Sequence, residues 1–147
     1  MSLFNVMSVS AAGMEAQRQR AQAIVENLAN AETTRTPDGG PYKRKDIVLA
    51  SDDDYESPFS AVFQTSLDQG VTGVSVSGVL EDARAPEMRY QPGHPDANPQ
   101  GYVAYPNISP PEEMVDLMDT SRSFEANTAA MAAIKNMVSS SIDLLKL

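Results

Sequence analysis

Ser109-Pro110-Pro111-Glu112-Glu113-Met114-Val115-Asp116-Leu117 opens a stretch that runs to Leu147 without another Gly or Pro. Ser109 suits an N-cap, Pro110 and Pro111 suit the first helical turn, and Glu112 sits three residues on from the cap, the spacing of a capping box. Leu117, Phe124, Met131, Val138 and Leu145 recur every seven residues, with Met114, Ser121, Thr128 and Ile142 one turn away. That period predicts one helix over residues 109–147 carrying a seam for a partner helix. A helix of about 37 residues is roughly 55 Å long, more than a compact domain of this size covers along its length.

The other end of the chain carries the same kind of pattern. Met7, Met14, Ala21 and Leu28 are again seven apart, which predicts a helix from Ser2 to about Asn30. Gly13 weakens it by up to about 1 kcal/mol relative to Ala. Asn27 and Asn30 near its end are residues that cap or take left-handed backbone angles. Between the helices, Thr33 to Lys45 is broken by Pro37, Asp38, Gly39, Gly40 and Pro41 and reads as a turn or extended arm. Ile47 to Leu49, the alternating Val74, Val76 and Leu80, then Met88 to Tyr90 and Gly101 to Tyr105 read as short strands, with the Val74 to Leu80 alternation predicting a half-buried one. The last two are joined by Gln91-Pro92-Gly93-His94-Pro95-Asp96-Ala97-Asn98-Pro99-Gln100, a stiffened loop in which Gly93 is expected to supply unusual backbone angles.

The predicted fold class is therefore mainly α with a small β-rich middle. The chain is divided into an N-terminal axial helix at 1–31, a loop and short-strand segment at 32–108 and a C-terminal axial helix at 109–147, all in one structural unit. The long terminal helices are expected to pair antiparallel as a coiled-coil-like hairpin. The middle covers only part of the longer helix, so side chains such as Ile142 and Leu144 face water unless another subunit meets them.

Composition narrows the function. A net charge of −9, a balance of +1 over residues 1–50 and −10 over residues 51–147, argues against nucleic acid, because phosphate neutralisation needs a basic face. The one basic cluster, Lys43-Arg44-Lys45, reads as a solvated strand edge. No run of 18 apolar residues is present, so no membrane insertion is expected, and the first basic residue is Arg18, which makes a poor secretory signal. Cys is absent, which removes disulfides and thiolate chemistry. The acidic run Asp52-Asp53-Asp54-Tyr55-Glu56 lacks the alternation, Gly and distal Glu of a calcium loop and reads as an exposed loop. His94 is the only histidine, with Asp96 two residues on. Without a second His, a Cys or an activated Ser nearby, the pair reads as part of a surface turn. No catalytic residue, cofactor or metal is expected.

Several motifs carry a family resemblance. Asn27-Leu28-Ala29-Asn30, followed by Thr33-Thr34-Arg35-Thr36-Pro37-Asp38-Gly39-Gly40-Pro41-Tyr42-Lys43-Arg44-Lys45, resembles the N-terminal signature of the bacterial flagellar rod and hook axial proteins. Glu113-Met114-Val115-Asp116 and Ser121-Arg122-Ser123-Phe124-Glu125-Ala126-Asn127 resemble their C-terminal helix. Tyr90-Gln91-Pro92-Gly93-His94-Pro95-Asp96-Ala97-Asn98, continuing through Gly101-Tyr102-Val103 and Pro106-Asn107, is similar to the proximal-rod branch of that family. No motif falls on residues 50–73. The resemblance implies a structural subunit of the flagellar basal body, exported without a cleaved signal peptide through the flagellar type III apparatus and stacked helically in the periplasm. Its implied partners are itself, other rod proteins, the membrane-ring adaptor proteins and the export apparatus. The rival class is a coiled-coil adaptor or chaperone, which would use the same two seams but fold on its own.

Overall fold

Pro110–Leu145 is one unbroken helix of 36 residues in the computed structural model, which describes residues 3–51 and 73–145. Ser109 stands just before it, and the Glu113 N–H donates to the Ser109 carbonyl at 3.1 Å, so the cap position matches the sequence signal. The N-terminal helix, α1, spans Leu3–Ala29. It stops where Asn30 turns its side chain back: Asn30 Nδ2 donates to the Glu26 carbonyl at 2.9 Å, supplying one of the partners that the last turn lacks. The helix from Pro110 to Leu145 is α2.

Between them lie β1 (Lys45–Ser51), β2 (Val74–Glu81), β3 (Glu87–Tyr90) and β4 (Tyr102–Tyr105). They form two separate two-stranded sheets, β1 with β2 and β3 with β4. β3 and β4 run antiparallel with Glu87 opposite Tyr105 and Tyr90 opposite Tyr102. The period of two sorts β4 cleanly: Val103 is fully buried and Tyr105 nearly so, while Tyr102 faces out. The half-buried alternation expected for β2 is not there. Val76 is half-buried, but Leu80 is 62% exposed and Val74 37%, because a two-stranded ribbon buries little of either face.

The chain's contacts gather it into two compact units. One comprises Met1–Arg18, Leu49–Ser77 and Thr120–Leu147; the other comprises Gln19–Val48 and Gly78–Asp119. The core of the second unit is Ala23 and Ile24 of α1 with Val103, Tyr105, Pro106 and Ile108. Burial in the first is sparser, resting on Ser10, Ala16, Thr120 and Ile134. There the helices approach closely, for a Cβ built on Gly13 would lie 3.1 Å from Asn127 Nδ2. Gly13, which costs helix propensity, is where the small residue makes room for a neighbouring side chain. The acidic run at residues 52–56 lies outside the described residues.

Candidate functional site

Among the described residues the most deeply buried polar one is Asn27, whose amide makes four hydrogen bonds in the second unit. Its Oδ1 accepts from the Lys45 N–H at 2.8 Å and from the Tyr42 hydroxyl at 3.2 Å. Its Nδ2 donates to the Lys45 carbonyl at 2.8 Å and to Glu113 Oε2 at 3.2 Å. By holding both backbone groups of Lys45, the side chain acts on β1 as a neighbouring strand would. Glu113, 2% exposed, completes its second oxygen with Arg44 Nε at 2.5 Å.

Arg44 is therefore no solvated edge residue, as the basic cluster suggested on sequence alone. Its guanidinium reaches Glu113, Asp46 at 3.5 Å and Asp116 at 3.6 Å. Burial is the largest influence on it and opposes its charge, but the hydrogen bond and charge of Glu113, with Asp46 and Asp116, outweigh it and hold the pKa above the ordinary value. The hydrogen bond from Lys45 to Glu26 raises the lysine in the same way. Burial raises the Tyr42 phenol, disfavouring its ionised form. Together Asn27, Tyr42, Arg44, Lys45 and Glu113 clamp the end of α1, the arm and the start of α2 to one another.

The arm is closed on itself. The Thr33 N–H donates to the Asn30 carbonyl, the Tyr42 N–H to the Thr33 carbonyl, and the Thr36 N–H to the Gly40 carbonyl at 2.9 Å. Gly39 and Gly40 hold φ of +89° and +80° at the tip beside the exposed Pro37, a region that other residues enter only at a cost. The proline-rich loop then docks on the arm through Asp96, which accepts from the Thr34 hydroxyl at 2.8 Å with Arg35 at 3.7 Å. His94 Nδ1 accepts from the Asp96 N–H at 3.1 Å, a bond internal to the turn. Asn98 closes the loop, its Oδ1 accepting from the N–H groups of Gln100 and Tyr102. The strained glycine is Gly101, at φ +82°, where a Cβ would meet Tyr90 Cε2 at 2.9 Å. Gly93, expected to hold that role, has no positive φ and open space around it.

Along the helices, Met7, Met14, Ala21 and Leu28 are half-buried, as are Leu117, Met131 and Val138. Phe124 is 41% exposed, and the Leu145 side chain lies outside the described residues. The deepest line on α2 is Glu113, Thr120 and Ile134, with half-buried Asn127 in step. In the first unit Thr128 Oγ1 donates to Met14 Sδ at 3.5 Å, and Glu125 faces outward. On the far side of α2, Val115, Met118, Met137 and Leu144 are half or more exposed.

Residues 100–144 match the family model described as the C-terminal region of flagellar basal body rod FlgEFG proteins. Similarity extends over the whole chain in the flagellar basal-body rod protein FlgC of Borreliella burgdorferi, 38% identical over 154 residues and covering 99% of both chains. FlgC of Bacillus subtilis is 39% identical over 99% of this chain and 100% of its own. The chain belongs to the FlgC family of flagellar basal-body rod proteins. FlgC of Escherichia coli O157:H7, 34% identical over 98% of each chain, places it there as well.

Of the FlgC-family motif residues read from the sequence, the structure joins Asn27, Asn30 and Thr33 into the base of the arm and Asp96 and Asn98 into the loop docked on it. Arg44, Lys45 and Glu113 were missed as site residues. The available signal was the polar line Glu113, Thr120 and Asn127 at a spacing of seven, one turn from the apolar seam and ignored because it is not apolar.

Proposed function

We propose that this FlgC-family chain works as a structural subunit of the proximal rod, polymerising through its terminal helices and transmitting torque from the membrane ring to the distal rod and hook. The terminal segments 1–31 and 109–147 are the axial helices, with 32–108 between them. α1 and α2 pair antiparallel as a coiled-coil-like hairpin in this reading, and contact between them within each unit supports their pairing: Thr128 donates to Met14 in the first and Asn27 donates to Glu113 in the second. Met7, Met14, Ala21, Leu28, Leu117, Phe124, Met131, Val138 and Leu145 form the assembly seams. The neighbours are further copies, other rod proteins and the membrane-ring adaptor proteins, reached through the type III export apparatus into the periplasm. No chemistry at a single residue is involved. Among the described residues no helix is long and apolar enough to cross a membrane.

The observation that carries the assembly reading is the exposure of Phe124, Met137, Ile142 and Leu144 on α2, from 41% to 73%. Apolar side chains left open in this number along one helix mark an interface. Heterologous contacts that do not close produce a helical filament. Hydrogen exchange tests it. In dilute chain, residues 3–18 and 120–145 should exchange fast and residues 19–48 and 78–119 slowly, with the tips protected only in assembled rod. Full protection of both helices in the dilute monomer would favour the self-contained adaptor instead.

A further inference from the structure

The chain's only histidine lies in the proline-rich loop of the second unit, beside a carboxylate oxygen that already has a partner. Asp96 Oδ2 accepts from the Thr34 hydroxyl at 2.8 Å and lies 4.0 Å from His94 Nδ1. The other oxygen, Oδ1, meets Arg35 at 3.7 Å, and that arginine side chain is 79% exposed, so the Thr34 bond is the short one that docks the loop on the arm. His94 Nδ1 accepts from the Asp96 N–H at 3.1 Å. A backbone N–H can only donate, so Nδ1 carries no proton and the neutral ring has its hydrogen on Nε2. The ring is partly open to water, and histidine is the side chain that takes up a proton between about pH 8 and pH 5.

We propose that His94 is a pH switch that draws Asp96 off the arm when the ring is protonated. The added proton goes to Nδ1, where it points at the Asp96 N–H, and that hydrogen bond is lost. The imidazolium N–H then turns to Asp96 Oδ2, and a charge-assisted bond closes the gap to about 2.8 Å. The Thr34 hydroxyl brings no charge to that oxygen, whereas the imidazolium does. An O–H···O bond of 2.8 Å stretched by about 1 Å is outside hydrogen-bond range, so the loop lets go of the arm. Arg35 pulls Asp96 the other way, but at 3.7 Å and largely exposed it is screened by water. On the strands, Tyr105 has its ring 6.4 Å from that of His94 and gives its hydroxyl hydrogen to Gln91. Arg89 stacks on the Tyr105 ring at 4.6 Å and is engaged by Glu87 at 2.9 Å, with Glu32 the other carboxylate acting on it. None of the bonds around Asn27 passes through His94, so acid frees the loop and leaves the clamp closed.

NMR on the isotope-labelled full chain between about pH 8 and pH 5 tests the switch, and a single histidine makes the imidazole signals unambiguous. At the alkaline end Nδ1 should give the signal of an unprotonated acceptor. As the ring titrates, protection of the Asp96 amide against hydrogen exchange should fall by about tenfold or more, and the Thr34 side-chain signals should shift with the same midpoint as the ring. In His94→Gln the Thr34 signals should stay flat over that range. A neutral ring with its hydrogen on Nδ1 overturns the proposal, as does an Asp96 amide or a Thr34 side chain that stays unmoved while the ring titrates. The same Thr34 shift in His94→Gln overturns it too. The comparison of midpoints is made within the parent chain and decides the matter even where the variant folds poorly.

Discussion

Replacing Asn27 with Ala removes four hydrogen bonds at a position with no solvent exposure. The groups left behind are not equal. The Tyr42 hydroxyl and the Lys45 backbone belong to half-buried residues and can rebond to water, whereas the Glu113 carboxylate is 2% exposed. An orphaned buried polar group costs about 1–3 kcal/mol, more when charged. Glu113 keeps Arg44 on its other oxygen and so loses one of two partners rather than both, which with the Lys45 groups gives a loss of about 2–3 kcal/mol. Against a total stability of about 5–15 kcal/mol for a typical domain, a loss of that size is readily measured. Glu113→Ala should cost about 3–5 kcal/mol, drawn toward the lower value because Arg44 keeps Asp46 and Asp116. The double variant should cost less than the two singles together, since both break one network. Urea unfolding of the full chain followed by circular dichroism measures the loss, and exchange of the Lys45 amide reports whether its bond to Asn27 has opened. An Asn27→Ala chain within about 1 kcal/mol of the parent, with its Lys45 amide still protected, would refute the clamp.

Gly101→Ala should destabilise by about 1–3 kcal/mol, from positive φ and the approach to Tyr90, while Gly93→Ala and His94→Gln should stay within about ±0.5 kcal/mol; thermal unfolding separates them. Phe124→Ala should change the isolated chain little, because the side chain is 41% exposed there, but should cost about 3–5 kcal/mol where an assembly buries it fully, so Phe124→Asp should lower rod formation while export continues; normal rods in that strain would contradict the reading. The raised pKa of Tyr42, due first to burial, means that the folded chain holds its phenolic proton more tightly than the unfolded one. Its contribution to stability is complete below the ordinary tyrosine value of about 10 and is lost as pH rises through the folded value; Tyr42→Phe should remove that alkaline dependence in a pH series of urea midpoints.

The helices were legible because their evidence is local. A seven-residue recurrence, a capping box before Glu113 and an Asn at each right place in the α1 terminus are carried by neighbours in the chain, and the strand pair at Tyr90 and Tyr102 needed only the turn residues between. Burial was less legible. The apolar line through Phe124 predicted the inward face, yet the deepest positions are Glu113 and Thr120, because a charged or hydroxylated side chain can go inside once a partner satisfies it. The basic cluster misread as solvated shows the same thing: Arg44 has a carboxylate 69 positions away to meet, and no window along the chain contains both. Gly93 and Gly101 look alike as letters, and only the backbone that closes the loop on Tyr90 distinguishes them.

What the chain alone determined is its two long helices, the short strands between them and the flagellar axial character of its motifs. Which face of each helix turns inward, which glycine is strained and how the arm is locked to both helices were decided by tertiary structure. The physical reason is that periodicity is set by the geometry of one element, whereas the Asn27 to Glu113 bond joins residues 86 positions apart, and a hydrogen bond forms only when the whole fold brings donor and acceptor to about 3 Å.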